Sequence, residues 1–209
     1  MPERRWLAHL QDVDNNQTET TRSFWASRWL DGLNGELLDV GCGTGWFSKY
    51  VPAGTRYRGV DPDAEVVSDC RRRGLDVQRA TAMALPFPDC SFDSIMLSNV
   101  IEHLHPSECL AALAEAHRVL RPSGIIRIIT PSAHSRKFWD EPTHVHPFTK
   151  ISLDRSLRAA GFAQVSVRYE KFWPLIGGLL VDRLRLPGFY NILRKVSPVK
   201  ETLVATATK

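Results

Sequence analysis

Residues 37–48 read LLDVGCGTGWFS. The apolar stretch 36–40 has the length and composition of a buried strand, the run GCGTG turns the chain, and residues 46–51 predict the start of a helix. Gly41, Gly43 and Gly45 let the backbone turn sharply and approach a ligand where a Cβ would collide, with a helix N-terminus expected behind them. A strand, a glycine loop and a helix in that order form the opening unit of an alternating α/β chain.

The alternation continues toward the C-terminus. Residues 56–60 (RYRGV) predict a second strand ending at Asp61 and Pro62, followed by a helix over 64–73 that stops at Gly74. A short third strand is expected at 76–80, and an apolar fourth at 94–98 leads into NVIEHLHP. A helix over 107–120 ends at the turn RPSG, and IIRIIT at 125–130 is the fifth strand. Residues 149–160 predict a helix with Thr149 as N-cap and Gly161 as its stop. Two more strands are expected at 164–169 and 201–206. Upstream, Phe24, Trp25, Ala26, Trp29, Leu30 and Leu33 recur at spacings of three and four, which predicts an amphipathic helix over 18–33. Strands alternating with helices argue a doubly wound, mostly parallel sheet with helices on both faces, where ligands sit at the carboxyl ends of the strands near the switch in strand order.

Composition narrows the classes. A chain of 209 residues, 43% hydrophobic, suits one core rather than two. A formal net charge of +4 is too small to imply nucleic-acid binding. The basic excess lies late in the chain, between Arg168 and Lys200, so peripheral contact of residues 172–200 with an anionic membrane surface is an open reading beside plain packing over the sheet edge. Four cysteines without a CxxC pair suit a reducing cytoplasm, and no apolar run is long enough to span a bilayer. A cytoplasmic location is therefore expected.

The segment 37–48, followed in order by ALPFPDCSFDSIMLSNVIEHL and RVLRPSGIIRIITPS, resembles the class I S-adenosylmethionine-dependent methyltransferases, in particular the small-molecule methyltransferase type 11 group. The resemblance covers residues 37–132. It implies a Rossmann-like seven-stranded sheet with an antiparallel strand near one edge, formed by residues 201–206, and a single methyltransferase domain over 1–209. Within it, 1–35 would be a helical cap, 36–132 the cofactor-binding core and 133–209 the acceptor side. It also implies S-adenosylmethionine as cofactor, S-adenosylhomocysteine as product and a small-molecule acceptor, with no nucleic-acid partner. The dinucleotide fingerprint GxGxxG would need Gly or Ala at position 46, where this chain has Trp46, so a nicotinamide or flavin fits less well.

Carried over residue by residue, the resemblance makes Gly41, Cys42, Gly43 and Gly45 the cofactor loop. Asp61, with Pro62, becomes the acceptor of the ribose hydroxyls. Asp39 would order the loop or meet the cofactor's amino group, with a strand-end capping role as the alternative. Thr81, Ala82 and Met83 stand where many relatives carry an acidic residue for the adenine, so a hydroxyl, backbone groups and the Met83 thioether would serve instead. Ser98, Asn99 and Val100 would line the methionine side.

Methyl transfer from a sulfonium is an in-line displacement, and an alcohol or phenol acceptor must also lose a proton. His103 and the loop FWDEPTHVHPFT, with Asp140, Glu141, His144 and His146, are the candidate sources of a base, His144 being preferred. The alternatives are a structural His103 anchoring the EHL turn, and loop histidines that cap backbone groups or hold a divalent metal. The spacing matches no metal-specific motif, so no metal is predicted. The expectation is O-methylation of a sugar, lipid-linked or phenolic acceptor. N-methylation and a non-catalytic partner protein with the same fold remain the alternatives.

Overall fold

The computed structural model describes residues 19–170 and 201–209. The reading of residues 172–200 as a membrane or acceptor element lies outside the described residues. Strands β1 (Glu36–Val40), β2 (Arg56–Asp61), β3 (Val77–Arg79), β4 (Phe92–Ser98), β5 (Leu120–Pro131), β6 (Ala163–Glu170) and β7 (Thr202–Thr208) form one sheet in the order β3-β2-β1-β4-β5-β7-β6. The first five run parallel, and β7 pairs antiparallel with both β5 and β6. The doubly wound sheet and its antiparallel insertion agree with the sequence. The switch in strand order falls between β1 and β4, whose carboxyl ends are the expected ligand position in such sheets.

The helices are α1 (Glu19–Trp29), α2 (Ala64–Arg72), α3 (Pro106–Val119), the single turn α4 (Arg136–Trp139) and α5 (Lys150–Ala159). One large apolar cluster joins Leu38, Val40, Ile95 and Leu97 of the central strands to Leu113 and Ala116 of α3 and Leu153 and Leu157 of α5. A second sets Ala26, Leu30 and Leu33 against Leu37, Phe47, Met96 and Ile129 on the other face. Each fully buried Leu or Ile contributes about 1.5–3 kcal/mol, so the sheet is held by its two covered faces. The caps follow sequence rules: Asp63 Oδ1 accepts from the N–H groups of Glu65 and Val66 at 2.7 and 3.1 Å, and Thr149 Oγ1 accepts from Ser152 N at 3.1 Å.

Three expectations need correction. The helix expected from residue 46 is one 3-10 turn, Trp46–Lys49, because Pro52 disfavours the helical conformation at Val51 and Trp46, Phe47 and Tyr50 turn into the cluster beneath α1. No long helix N-terminus therefore backs the glycine loop. The N-terminal helix ends at Trp29, four residues short of Leu33, since Gly32 is left-handed at φ 78° and the buried Arg127 guanidinium donates to the carbonyls of Trp29 and Asp31 at 2.9 Å each. Finally, β5 begins at Leu120 and incorporates the RPSG segment, with a register shift against β4 between Phe92 and Ser94.

Candidate active site

Val40, Asp61, Arg79 and Ser98 end the first four strands, so the glycine loop, Asp61 with Pro62, Thr81 to Met83, and Ser98 to Val100 all stand along one edge of the sheet. At Gly41, φ is 70° and an added Cβ would come within 2.5 Å of Val100 Cγ2. The glycine is thus required both by the turn and by the close passage of the strand that follows β4. Asn99, itself left-handed at φ 53°, donates its N–H to Ile129 O at 2.8 Å and so pins the β4 exit to β5.

Asp61 is 5% exposed, and its two oxygens are each held by one backbone donor, Gly43 N to Oδ2 and Asp63 N to Oδ1, both at 3.0 Å. Each carboxylate oxygen retains a second lone pair, which suits a vicinal diol. Burial raises its pKa, while the bonds from Asp63 and Gly43 oppose the rise. Asp39 is deeper, 1% exposed, and accepts from Tyr57 Oη at 2.8 Å. Burial pushes its carboxyl up to about 7 against the lowering effect of that bond, and the Asp61 charge adds to the rise. Its observed partner is a neighbouring strand, in keeping with an ordering role. Cys42 also turns inward: its thiol is buried, 2.7 Å from where a Cβ on Gly59 would sit, and its N–H donates to Val60 O at 3.0 Å. Cys42 therefore shapes the loop from within. Thr81 is exposed and forms an isolated bridge with Ala84, whereas Ala82 is buried and Met83 packs on the main core.

The candidate histidines are brought together from two connections. His103 follows β4 in the 3-10 turn Ile101–His103, and His144 lies in the segment after β5. Their rings approach to 4.8 Å between centroids. Each Nδ1 faces a backbone carbonyl, Thr143 O at 3.2 Å for His103 and Phe138 O at 3.0 Å for His144. A carbonyl can only accept, so Nδ1 is the donor in each of these bonds, and in the neutral ring the lone pair is on Nε2. His144 also stacks on Phe138, with 5.1 Å between ring centroids.

Glu102 holds this arrangement and was not singled out from the sequence. Its backbone carbonyl accepts from Val145 N at 2.8 Å and His146 N at 3.0 Å, which fastens the histidine loop to the β4 exit. Its side chain is fully buried, with Oε2 accepting from Thr130 Oγ1 at 2.9 Å. Burial pushes the carboxyl up to about 8, opposed by a backbone bond and by the Thr130 hydroxyl. The available signal was a carboxylate directly after the apolar pair Val100 and Ile101 at the end of the fourth strand. His146 stands apart from this cluster: its ring lies on Phe148 at 4.1 Å and burial lowers its pKa. Glu141 is occupied within the loop by the Thr143 hydroxyl at 3.0 Å.

Residues 38–128 match the family model of a methyltransferase domain. Among curated relatives, a probable S-adenosylmethionine-dependent methyltransferase of Mycolicibacterium smegmatis is 31% identical over 134 residues, covering 61% of this chain and 51% of its own length. Over this stretch the chain is similar to the S-adenosylmethionine-dependent methyltransferases. A fatty-acid O-methyltransferase of the same organism is 39% identical over 95 residues, covering 42% of this chain and 34% of that protein. This chain thus spans about half the length of the first of these relatives or less. A solved S-adenosylmethionine-dependent methyltransferase from Archaeoglobus fulgidus shares the fold with a TM-score of 0.69 and 22% identity, over 90% of this chain and 94% of that one. Among the described residues, no helix is long and apolar enough to cross a membrane.

Proposed function

We propose that this chain is a class I S-adenosylmethionine-dependent methyltransferase, which binds its cofactor along the carboxyl ends of β1 to β4 and transfers the methyl group to the oxygen of a small hydroxyl-bearing acceptor, a sugar, a lipid-linked intermediate or a phenol. The observation that carries this reading is Asp61, whose carboxylate is anchored by one backbone N–H on each oxygen beside the left-handed glycine loop. The lone pairs left on the two oxygens suit the two hydroxyls of a ribose diol as donors. When bound, the cofactor supplies an electrophilic methyl group on a positively charged sulfur.

The protein's own contribution is placement and proton handling. Gly41 and Gly43 bring the backbone close to the cofactor, Ala82 and Met83 offer an apolar face for a flat ring, and Ser98 to Val100 line the segment beneath the reacting end. His103 and His144 reach the same edge from the connections after β4 and β5. With its Nδ1 proton committed to Phe138 O, His144 presents Nε2 as the acceptor for a hydroxyl proton, in step with formation of the O–CH3 bond and cleavage of the S–CH3 bond. The O-methyltransferase activity named for the fatty-acid relative supports oxygen as the acceptor atom.

Methyl transfer from isotopically labelled cofactor to a panel of hydroxylated acceptors tests the proposal, with His144→Ala alongside. The expected result is label on oxygen and a fall in kcat of about 100-fold or more in the variant, the usual range for a lost general base. Full turnover of amine acceptors by His144→Ala and His103→Ala would instead establish N-methylation, which needs little base catalysis.

A further inference from the structure

We propose that Glu102, His103 and His144 form a binding site for one divalent transition-metal ion of the Zn2+ type, with its remaining coordination positions open toward the acceptor. One carboxylate oxygen of Glu102 and one ring nitrogen of each histidine lie within 4.8 Å of one another. Three ligands at about 2.0–2.2 Å around one ion stand roughly 3–4 Å apart, so an adjustment of about an ångström, within the reach of side-chain torsions, closes the site.

Two independent observations support a cation there rather than a fortuitous cluster. The first is Glu102 Oε1, which is buried and has no hydrogen-bond partner among the described residues, although Oε2 on the same carboxyl is bonded to Thr130. A buried carboxyl oxygen left without any hydrogen-bond partner costs free energy and calls for an ion or water not otherwise accounted for. The second is the orientation of the histidines. Both present Nδ1 to a backbone carbonyl, the outer-shell arrangement that fixes the tautomer and aims Nε2 in metal-binding histidines. Two imidazoles and one carboxylate favour a borderline ion over Mg2+ or Ca2+, which take oxygen ligands almost entirely.

The consequence for chemistry rests on the proposed O-methylation. An acceptor hydroxyl in an open position of the ion becomes more acidic, its proton passes to solvent, and the resulting oxygen attacks the methyl carbon as the S–CH3 bond breaks. With the ion bound, the lone pair of His144 Nε2 is spent on coordination, so the ion replaces His144 as the group that makes the hydroxyl reactive. The spacing of the loop FWDEPTHVHPFT did not disclose this because two of the three ligands come from the β4 exit, far away in sequence.

The test is calorimetric titration of the chelator-stripped full chain with ZnCl2, and Co2+ absorption spectroscopy, both without cofactor or acceptor. One equivalent of ion should bind, with Co2+ bands of nitrogen and oxygen ligation and none of thiolate ligation. Affinity should fall tenfold or more in Glu102→Gln and His144→Ala and stay unchanged in His134→Ala, a surface histidine outside the cluster. His144 lies on a half-buried loop, so its variant carries the test if the buried Glu102→Gln fails to fold. Absence of stoichiometric binding, thiolate ligation, or binding indifferent to both substitutions would overturn the proposal. Titration of the stripped protein with S-adenosylmethionine separates the two readings: cofactor binding without ion binding retains the methyltransferase reading alone, and ion binding without cofactor binding retains the metal site alone.

Discussion

At the β1–β2 end of this edge, each candidate residue stands on a strand end or within a few residues of one, and its partners come from the same two strands and the turns that follow them. At the β5 end the candidate histidines lie on connections, and they are oriented by carbonyls of Phe138 and Thr143 and by a loop fastened to the Glu102 carbonyl. The first arrangement is dictated by the topology of the sheet; the second depends on contacts between segments separated by roughly forty residues. Cofactor binding and acceptor chemistry should therefore respond to different substitutions.

The largest expected effect is on the acceptor side. Phe148 is fully buried in the main core and its carbonyl accepts from Ala133 N at 2.7 Å, closing the histidine loop. Phe148→Ala should cost about 3–5 kcal/mol in chemical denaturation. Loss of acceptor turnover in the surviving folded fraction, with cofactor affinity retained, would support the separation; loss of both would argue that the cleft is one unit.

On the cofactor side, Asp39 links stability to pH. Its folded pKa, about 7, lies above the ordinary carboxylate value of 3.8, with Tyr57, Asp61 and Cys42 as the titratable groups around it. The fold favours the protonated form, so this contribution is present at low pH and is lost as pH rises from the ordinary value through about 7. At about 1.4 kcal/mol per unit, the loss over the whole range is about 4 kcal/mol. Between pH 5 and 8 the melting temperature should fall, and Asp39→Asn should flatten that fall and raise stability at pH 8. An identical slope in the variant would contradict the burial account.

Smaller still is Gly41→Ala, which combines the left-handed φ with a methyl group pressed on Val100. The strain is about 1–2 kcal/mol from φ alone, enough to raise the cofactor Kd about tenfold or more. The smallest effect belongs to the exposed pair Arg158 to Asp154, at 2.9 Å along α5. Arg158→Ala should change stability by less than about 0.5 kcal/mol and leave both functions intact, as a check on substitution itself.

The same contrast explains what the sequence disclosed. Local patterns were sufficient for the seven strands and for placing Asp61, Gly41 and Asn99 at the strand ends, because a parallel α/β chain writes its topology in alternating apolar runs. The long helix expected after the glycine loop failed because the tertiary pull of Trp46 and Phe47 and the constraint from Pro52 outweigh local propensity. The early end of α1 depends on Arg127, about a hundred residues away in sequence. Glu102 was missed for a related reason: its importance lies in Thr130, Val145 and His146, none of them its neighbours in the chain.

The central claim is that the edge built around Asp61 binds S-adenosylmethionine. Calorimetric titration of the purified protein with S-adenosylmethionine and S-adenosylhomocysteine, beside NAD and NADP, tests it on the wild type and on Asp61→Ala. The account predicts micromolar binding of the two sulfur nucleosides, no binding of the nicotinamides, and a loss of about 100-fold in the variant, equivalent to about 2.7 kcal/mol. A folded wild-type protein that binds neither sulfur nucleoside, or an Asp61→Ala protein that binds them undiminished, would contradict it.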